Sequence, residues 1–566
     1  MESCLIGGRG GADPTLQFCR GGPTWPPWAT TWGCPYYGET LMRSICLSVV
    51  WIVLFAVLGF ATGDVVGQEA GFKPIFDGKS LDGWKASDMS YWSVQDGVVT
   101  ARSTQEHPVT KNQFLVWQLG QVDDFELTLK YRITGTPAAN SGIQIRSRVE
   151  PDGHAVGYQA DIDLEGRYAG ALYDEMGRGM LAERGQKTVI GSDGKMAHTP
   201  LGDPQALFSS IKKGDWNDYH IIAQGGHIVL KVNGQVTAEV FDDDQQNRDL
   251  SGVLALQLHS GPPMTVQFKD IQLKRLKLGE RKKIVLVAGP PSHGYGAHEH
   301  NAGCLLLAKL LNENVPGVYA TVYTNGWPKD PTALDNADAI AIFCDGGEGH
   351  VAMRHLEELD ALAKKGVGIG MLHYAVEVPK GKPGDYMLDW TGGYFETFWS
   401  VNPHFKAEFK ELPSHPITRG VKPFAIEDEW YYHMRFVDGL QNVTPILTTV
   451  PPDSTRREGN DEHGANPHVR ARMGMPEHVM WTIERPGGGR GFGFTGGHWH
   501  HNWAHDDFRK VVLNALVWVA GVEIPPDGVP SKTPSIDELE ANQDYPKPKD
   551  YNPEKIRQMI QQWNRP

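Results

Sequence analysis

The chain has 566 residues, more than one hydrophobic core organises, so two or three domains are expected. Its net charge is −14 and its pI about 5.9, with no long basic run, which argues against nucleic acid as a partner. With 65 Gly, 17 Trp and 18 Tyr, the composition suits β-rich folds and surfaces that stack on sugars.

Residues 1–41 show no foldable pattern and read as an over-long start. Met42-Arg43 then opens an apolar run, Ile45 to Ala61, followed by the small-residue site Ala61-Thr62-Gly63. Residues 42–70 therefore read as a secretory signal peptide and linker, placing the protein outside the cell or in the periplasm. After cleavage no membrane span is expected. The alternative is a single anchor at Ile45–Ala61. Of the six cysteines, Cys4, Cys19, Cys34 and Cys46 precede residue 47, and only Cys304 and Cys344 lie in the body. That is no disulfide framework.

Residues 72–276 read as all-β. Phe125, Leu127, Leu129, Tyr131 and Ile133 alternate with polar residues, and Ile143-Gln144-Ile145-Arg146 keeps the two-residue period. Asn233-Gly234 between Val232 and Val236 is a hairpin signal. Short strands at regular intervals predict a sandwich or jelly roll.

The motifs of this region come in order: FDGKSLDGW from Phe76, NSGIQIR from Asn140, GYQADID from Gly157, GALYD from Gly170, Trp216-Asn217, and LQLH from Leu256. The ordered set resembles the 3-keto-disaccharide hydrolase family, a concanavalin-like jelly roll. GYQADID keeps that family's carboxylate pattern with one extra Asp. The resemblance implies cleavage of a 3-keto-glycoside. The 3-keto group acidifies the C2 hydrogen, a base removes it, the C1 aglycone leaves by elimination, and water adds back. The chemistry needs a base, a stabiliser for the enolate and an acid for the leaving oxygen. Asp161, Asp163 and His259 are candidates for base or metal ligand, and Arg146 for the enolate. Asn140, Tyr158, Tyr173 and Gln257 are candidate hydroxyl-binding or stacking residues. Asp161 and Asp163 share one strand face, as do Gln257 and His259. An ordinary Arg146–Asp161 cross-strand ion pair is the structural alternative.

Past a charged linker at Leu276–Lys283 the pattern changes. Ile284–Ala288 is continuously apolar, as a buried parallel strand requires. A helix is predicted over Asn301–Asn312, strands over Tyr319–Tyr323, Ala339–Phe343 and Val367–Leu372, and a helix carrying Met353, Leu356, Leu359 and Leu362 before Gly366. Alternating strand and helix over 283–521 predicts a flavodoxin-like, doubly wound parallel sheet. Residues 380–480 form a long aromatic-rich insertion. The Pro- and charge-rich tail, 525–566, reads as an arm rather than a core.

In such folds sites gather at the carboxyl ends of the strands. The predicted strands lead into SHGYGAHEH with His293, His298, Glu299 and His300; CDGGEGH with Asp345, Glu348 and His350; His373-Tyr374-Ala375-Val376-Glu377; and HWHHNWAH with His498, His500, His501 and His505. These loops are expected to form one site. His373 and His500 are the candidate catalytic residues, Tyr374 and Glu377 bind substrate, and His498, His500 and His293 are candidate ligands of a divalent metal.

Those segments, with GGYFETFWSVNPHF and EDEWYYHMRF, resemble the trehalose-utilisation ThuA-like family, a branch of the class I glutamine amidotransferase-like fold. Where amidotransferases carry a cysteine nucleophile, this chain has His373 and Tyr374, so a thioester mechanism is not expected. Asn502 stands where the usual carboxylate would be. The combined reading is a carbohydrate-active enzyme of 3-keto sugars. Its alternative is a non-catalytic, sugar-binding jelly roll beside a ThuA-like domain that is the catalytic or binding unit.

Overall fold

A computed structural model describes residues 71–565. The leader and signal-peptide readings fall outside the described residues. Among those described, no helix is long and apolar enough to cross a membrane.

The alternating segments form a two-sheet sandwich. The larger sheet has ten strands and is built around Phe125–Gly135 and Met264–Arg275. The smaller has seven, in the order Gly179–Ala182, Leu172–Glu175, Ala155–Asp163, Asn140–Val149, Val253–Leu258, Gln113–Trp117, Trp84–Lys85. Leu127, Leu129, Tyr131 and Ile133 meet Ile143, Ile145, Ala160, Ile162 and Leu256 in the core. The period of two sends every second residue of the smaller sheet to its other face. Asn233 (φ 49°) and Gly234 (φ 80°) close the predicted hairpin between His227–Val232 and Gln235–Asp242.

The second domain is an α/β sheet. Val318–Tyr323, Lys282–Ala288, Ala339–Phe343, Gly368–Leu372 and Arg490–Phe494 run parallel, in that spatial order. The expected all-parallel sheet is extended by two antiparallel strands, Glu477–Glu484 and Val443–Thr449, which the insertion supplies. The apolar runs are continuous because both faces are covered. Ile284 and Leu286 pack with the helices His300–Asn314 and Asp506–Val519. Val285 and Val287 pack with Leu356–Lys364 and Lys382–Thr391.

Two sequence features behave differently from expectation. The charged linker ends in a buried residue: Lys283 donates to Asp123 of the sandwich at 2.5 Å and to Asn336 at 2.9 Å. Beside it, Arg275 pairs with Asp330 at 2.7 Å. Charges taken out of water need this pairing, and here it joins the two domains. The tail is an arm, but one that is fastened down. Leu539 is buried, Ile536, Ile560 and Trp563 pack on the core, and the backbone N–H of Asp544 donates to Glu299.

Candidate functional site

The free face of the seven-stranded sheet carries a polar row. Asp161 stands opposite Gly142, and Asp163 opposite Asn140. Leu256 stands opposite Ile143, which puts Gln257 beside Gly142 on the other side. Gln257 and Asp161 thus flank Gly142, two strand spacings or about 10 Å apart at the backbone. An added Cβ on Gly142 would lie 2.5 Å from the Gln159 side chain.

A chain of hydrogen bonds runs along this face. Ser147 Oγ donates to Gln144 Oε1 at 2.6 Å, Gln144 Nε2 to Gln159 Oε1 at 2.9 Å, and Gln159 Nε2 to Asp161 Oδ1 at 2.7 Å. Burial pushes the Asp161 carboxyl up to about 8, with a smaller contribution from nearby Asp163 and Glu175. Gln257 is fully buried, and neither end of its side-chain amide has a hydrogen-bond partner. Proteins seldom leave such a group unsatisfied. Tyr173 is half-buried opposite Gln159. His259, also half-buried, comes just after the Val253–Leu258 strand, with its Nδ1 2.6 Å from the Ser260 carbonyl.

Three predicted residues of the sandwich take other places. Asp163 accepts from the backbone N–H of Gly166 and of Tyr168, so both its oxygens hold a turn. Arg146 sits at a β-bulge with φ 49° and turns away from Asp161. It pairs with Asp124 at 2.8 Å and donates to the carbonyls of Asp123 and Gly225. Neither the enolate role nor the Arg146–Asp161 pair fits that geometry. Tyr158, one residue from Gln159, points to the opposite face, joins the core and donates to Asp242 at 2.5 Å.

The second constellation lies at the carboxyl ends of the parallel strands. His298 precedes the His300–Asn314 helix, His373 directly succeeds Gly368–Leu372, and His498 lies just past Arg490–Phe494. Glu429 comes from the insertion, at the end of Phe424–Glu429. Donor atoms of these four residues lie within 4.8 Å of one another. His298 Nε2 is 2.9 Å from His498 Nδ1 and 3.1 Å from His373 Nε2. Glu429 Oε2 is 3.0 Å from His498 Nδ1 and 3.5 Å from His373 Nε2.

The surroundings fix the rings. His373 Nδ1 donates to the Thr495 carbonyl at 2.8 Å, and His298 Nδ1 to Asp345 at 3.0 Å. Asp428 accepts from the backbone N–H of Gly497 and His498. His298 (φ 49°) and His373 (φ 53°) both adopt the left-handed conformation that side chains avoid, strain of the kind found at functional sites. Burial pushes His373 down to about 3, so it is neutral. Burial alone would raise the Glu429 carboxyl, but its contacts with His298, His373 and His498 lower it.

Residues 71–274 match the family model described as a 3-keto-alpha-glucoside-1,2-lyase-like domain, and residues 285–519 match the model described as trehalose utilisation. The chain joins these two domains. No curated protein matches it. Among solved structures, the carbohydrate binding module CBM66 from Bacillus subtilis is 14% identical, covering 34% of this chain and 95% of its own, with a TM-score of 0.24. A ThuA-like protein from Parabacteroides merdae is 15% identical, covering 47% and 98%, with a TM-score of 0.32. By its domains the protein is carbohydrate-related.

Within the trehalose-utilisation domain, His293 stacks on His298 with ring centroids 3.7 Å apart, and with His298 and Asp345 it forms a second group whose ligand atoms lie within 4.8 Å of one another. His500 does not join either. It is buried, pushed down to about 3, and packs near the backbone of Leu539 in the tail. The turn after Trp499 is helical, so the extended spacing that would align His498 with His500 is lost. Tyr374 lies 5.9 Å from His298, ring to ring. Glu377 pairs with His463 at 3.0 Å, and burial raises its carboxyl. Sequence reasoning missed Glu429 and His463. Both sit in the insertion, where no strand-end rule applies, and only their charge within EDEWYYHMRF and DEHG marked them.

Proposed function

We propose that the lyase-like domain cleaves 3-keto-glycosides, with Asp161 as the base that removes the C2 proton. The observation that carries this reading is Asp161 itself: a buried carboxyl raised to about 8, held by Gln159, one row-mate from an unpartnered Gln257. A base poised near neutral pH suits the abstraction of a proton acidified by a ketone.

In this reading the Gln257 side-chain N–H groups donate to the oxygen on C3 as negative charge develops there. Electrons from the C2–H bond form the C1–C2 double bond, and the C1–O bond breaks. Protonated, with its Nδ1 proton held by Ser260, His259 gives its Nε2 proton to the leaving oxygen and takes one back from the water that adds. Water then adds across the double bond to release a 3-keto sugar. Asp163 cannot serve as the second carboxylate of a direct glycosidase, because the turn holds both its oxygens. Export rests on the sequence of residues 42–63, and a polar sugar is the substrate class such a protein would meet.

The test is incubation of the full chain with a 3-keto-glycoside in deuterated solvent. Deuterium at C2 of recovered substrate or product, absent with Asp161→Asn, is the expected result. Cleavage of the ordinary glycoside, or cleavage without exchange, overturns the reading. The histidine cluster favours a second reading, in which the sandwich only binds sugar. Activity that survives Asp161→Asn and is lost with His373→Ala would establish it.

A further inference from the structure

We propose that the trehalose-utilisation domain is a metal-dependent site of its own: His298, His373, His498 and Glu429 bind one divalent transition-metal ion, whose open coordination side takes a polyhydroxylated carbonyl compound.

The positions of the ring protons decide which atoms can be ligands. The Thr495 carbonyl and the Asp345 carboxylate only accept, so the proton of each ring they meet sits on Nδ1. In the neutral rings that leaves Nε2 of His373 and Nε2 of His298 as lone pairs, and they face each other at 3.1 Å. His498 Nδ1 and Glu429 Oε2 bring further electron pairs to the same point. A single proton could satisfy one of these contacts. A cation at their centre satisfies all of them. Ligands about 2.1 Å from a tetrahedral metal lie roughly 3.4 Å apart. Five of the six donor pairs, from 2.9 Å for His298–His498 to 3.8 Å for His298 Nε2–Glu429, bracket that value, and all lie within 4.8 Å.

The supporting groups match a metal site as well. Asp345 on the far nitrogen of His298, and Thr495 on that of His373, are the outer partners that fix ligand tautomers. Three imidazoles and one carboxylate select Zn²⁺, Mn²⁺, Fe²⁺ or Co²⁺ over Mg²⁺ and Ca²⁺.

The site is closed on one side and open on the other. His298 and His373 are sealed, whereas His498 and Glu429 keep 10% and 13% of their side chains accessible. Glu429 also lines a cleft of about 670 Å³ with His404, Arg457, Asp461, Glu462 and His463. That lining is polar and of both signs, which suits hydroxyl groups better than an apolar or an anionic ligand. An ion that expands its coordination beyond these four ligands, toward the open side, binds the carbonyl oxygen and a neighbouring hydroxyl together. The Glu377–His463 pair stands beside the same cleft, placed to exchange protons with the ligand.

The test uses the full chain, purified without a metal-affinity step. Mass-spectrometric analysis should find one transition-metal ion per chain. After chelation, Co²⁺ should restore one equivalent and give the visible absorption of a four- or five-coordinate nitrogen–oxygen site. His373→Ala and Glu429→Gln should weaken binding by about 100-fold or more. His227→Ala, on the sandwich surface, should leave it unchanged, and circular dichroism should show all variants folded. In the Mn²⁺-loaded protein, fructose as probe should lower the relaxation rate of solvent water by displacing it from the ion. No metal after purification and no Co²⁺ uptake at millimolar concentration would overturn the site. So would equal affinity in folded His373→Ala. Relaxation unmoved by saturating fructose would overturn the ligand class.

Discussion

His373 Nε2 stands 3.1 Å from His298 Nε2, while the other nitrogen of each ring already donates to a fixed acceptor. Two lone pairs held face to face are unfavourable unless something positive lies between them. This relationship, set by two residues 75 positions apart, separates the cluster from a solvated histidine-rich loop.

If a metal ion fills that gap, it stabilises the fold. Binding to the native state alone adds about 4 kcal/mol at a thousand times the dissociation constant. Chelation is expected to lower the melting temperature of the full chain, and Zn²⁺ or Co²⁺ to restore it. The same treatment should leave His373→Ala unmoved. Differential scanning calorimetry checks both.

If the chain cleaves 3-keto-glycosides with Asp161 as base, the rate should follow the ionisation of that carboxyl. A base works when deprotonated, and burial holds this carboxyl near 8. The rate at low substrate concentration should therefore climb tenfold per pH unit below about 8 and level off above it. A rate profile flat from pH 5 to 9 contradicts the assignment.

Asp161→Asn separates catalysis from stability. Loss of the base should cost roughly 10²–10⁴-fold in rate. The stability effect has the opposite sign. The folded pKa is raised, so the native state holds more protons than the unfolded chain between the ordinary carboxylate value and about 8. Wild-type stability is thus full below the unfolded pKa and is lost as pH rises through about 8. The neutral amide escapes that loss, so at pH 9 the variant should melt at or above the wild type. Lower stability at pH 9 than at pH 5, relative to wild type, would count against it.

Lys283→Ala should destabilise the junction between the domains. It leaves the carboxylate of Asp123 buried at 1% exposure with Asn336 and the more distant Arg275 as partners. Breaking a buried pair from one side costs about 3–5 kcal/mol. Urea unfolding should show the loss, and Asp123→Asn with Lys283→Met should recover part of it.

No glutaminase activity is expected. His373 occupies the turn after Gly368–Leu372, and burial pushes the thiols of Cys304 and Cys344 up and out of the thiolate range. Ammonia released from glutamine by wild type but not by His373→Ala would refute this.

The sequence alone determined the order of the two folds, because periodicity is local. Alternation at Phe125–Ile133 needs only one buried face, and the unbroken apolar run Ile284–Ala288 needs two. It also placed His293–His300, Asp345, His373–Glu377 and His498 at one sheet edge, since parallel strands put the loops at their carboxyl ends together. Alternation set Asp161 with Asp163 and Gln257 with His259, but only strand pairing joined Asp161 and Gln257 in one row, and a bulge no local pattern announces turned Arg146 to Asp124. Likewise a helical turn removed His500, and an insertion contributed Glu429 from a strand of its own. Tertiary structure decided these because a metal-sized cluster depends on contacts a few ångströms long between distant segments. The local periodicities that reveal strands and helices carry no record of them.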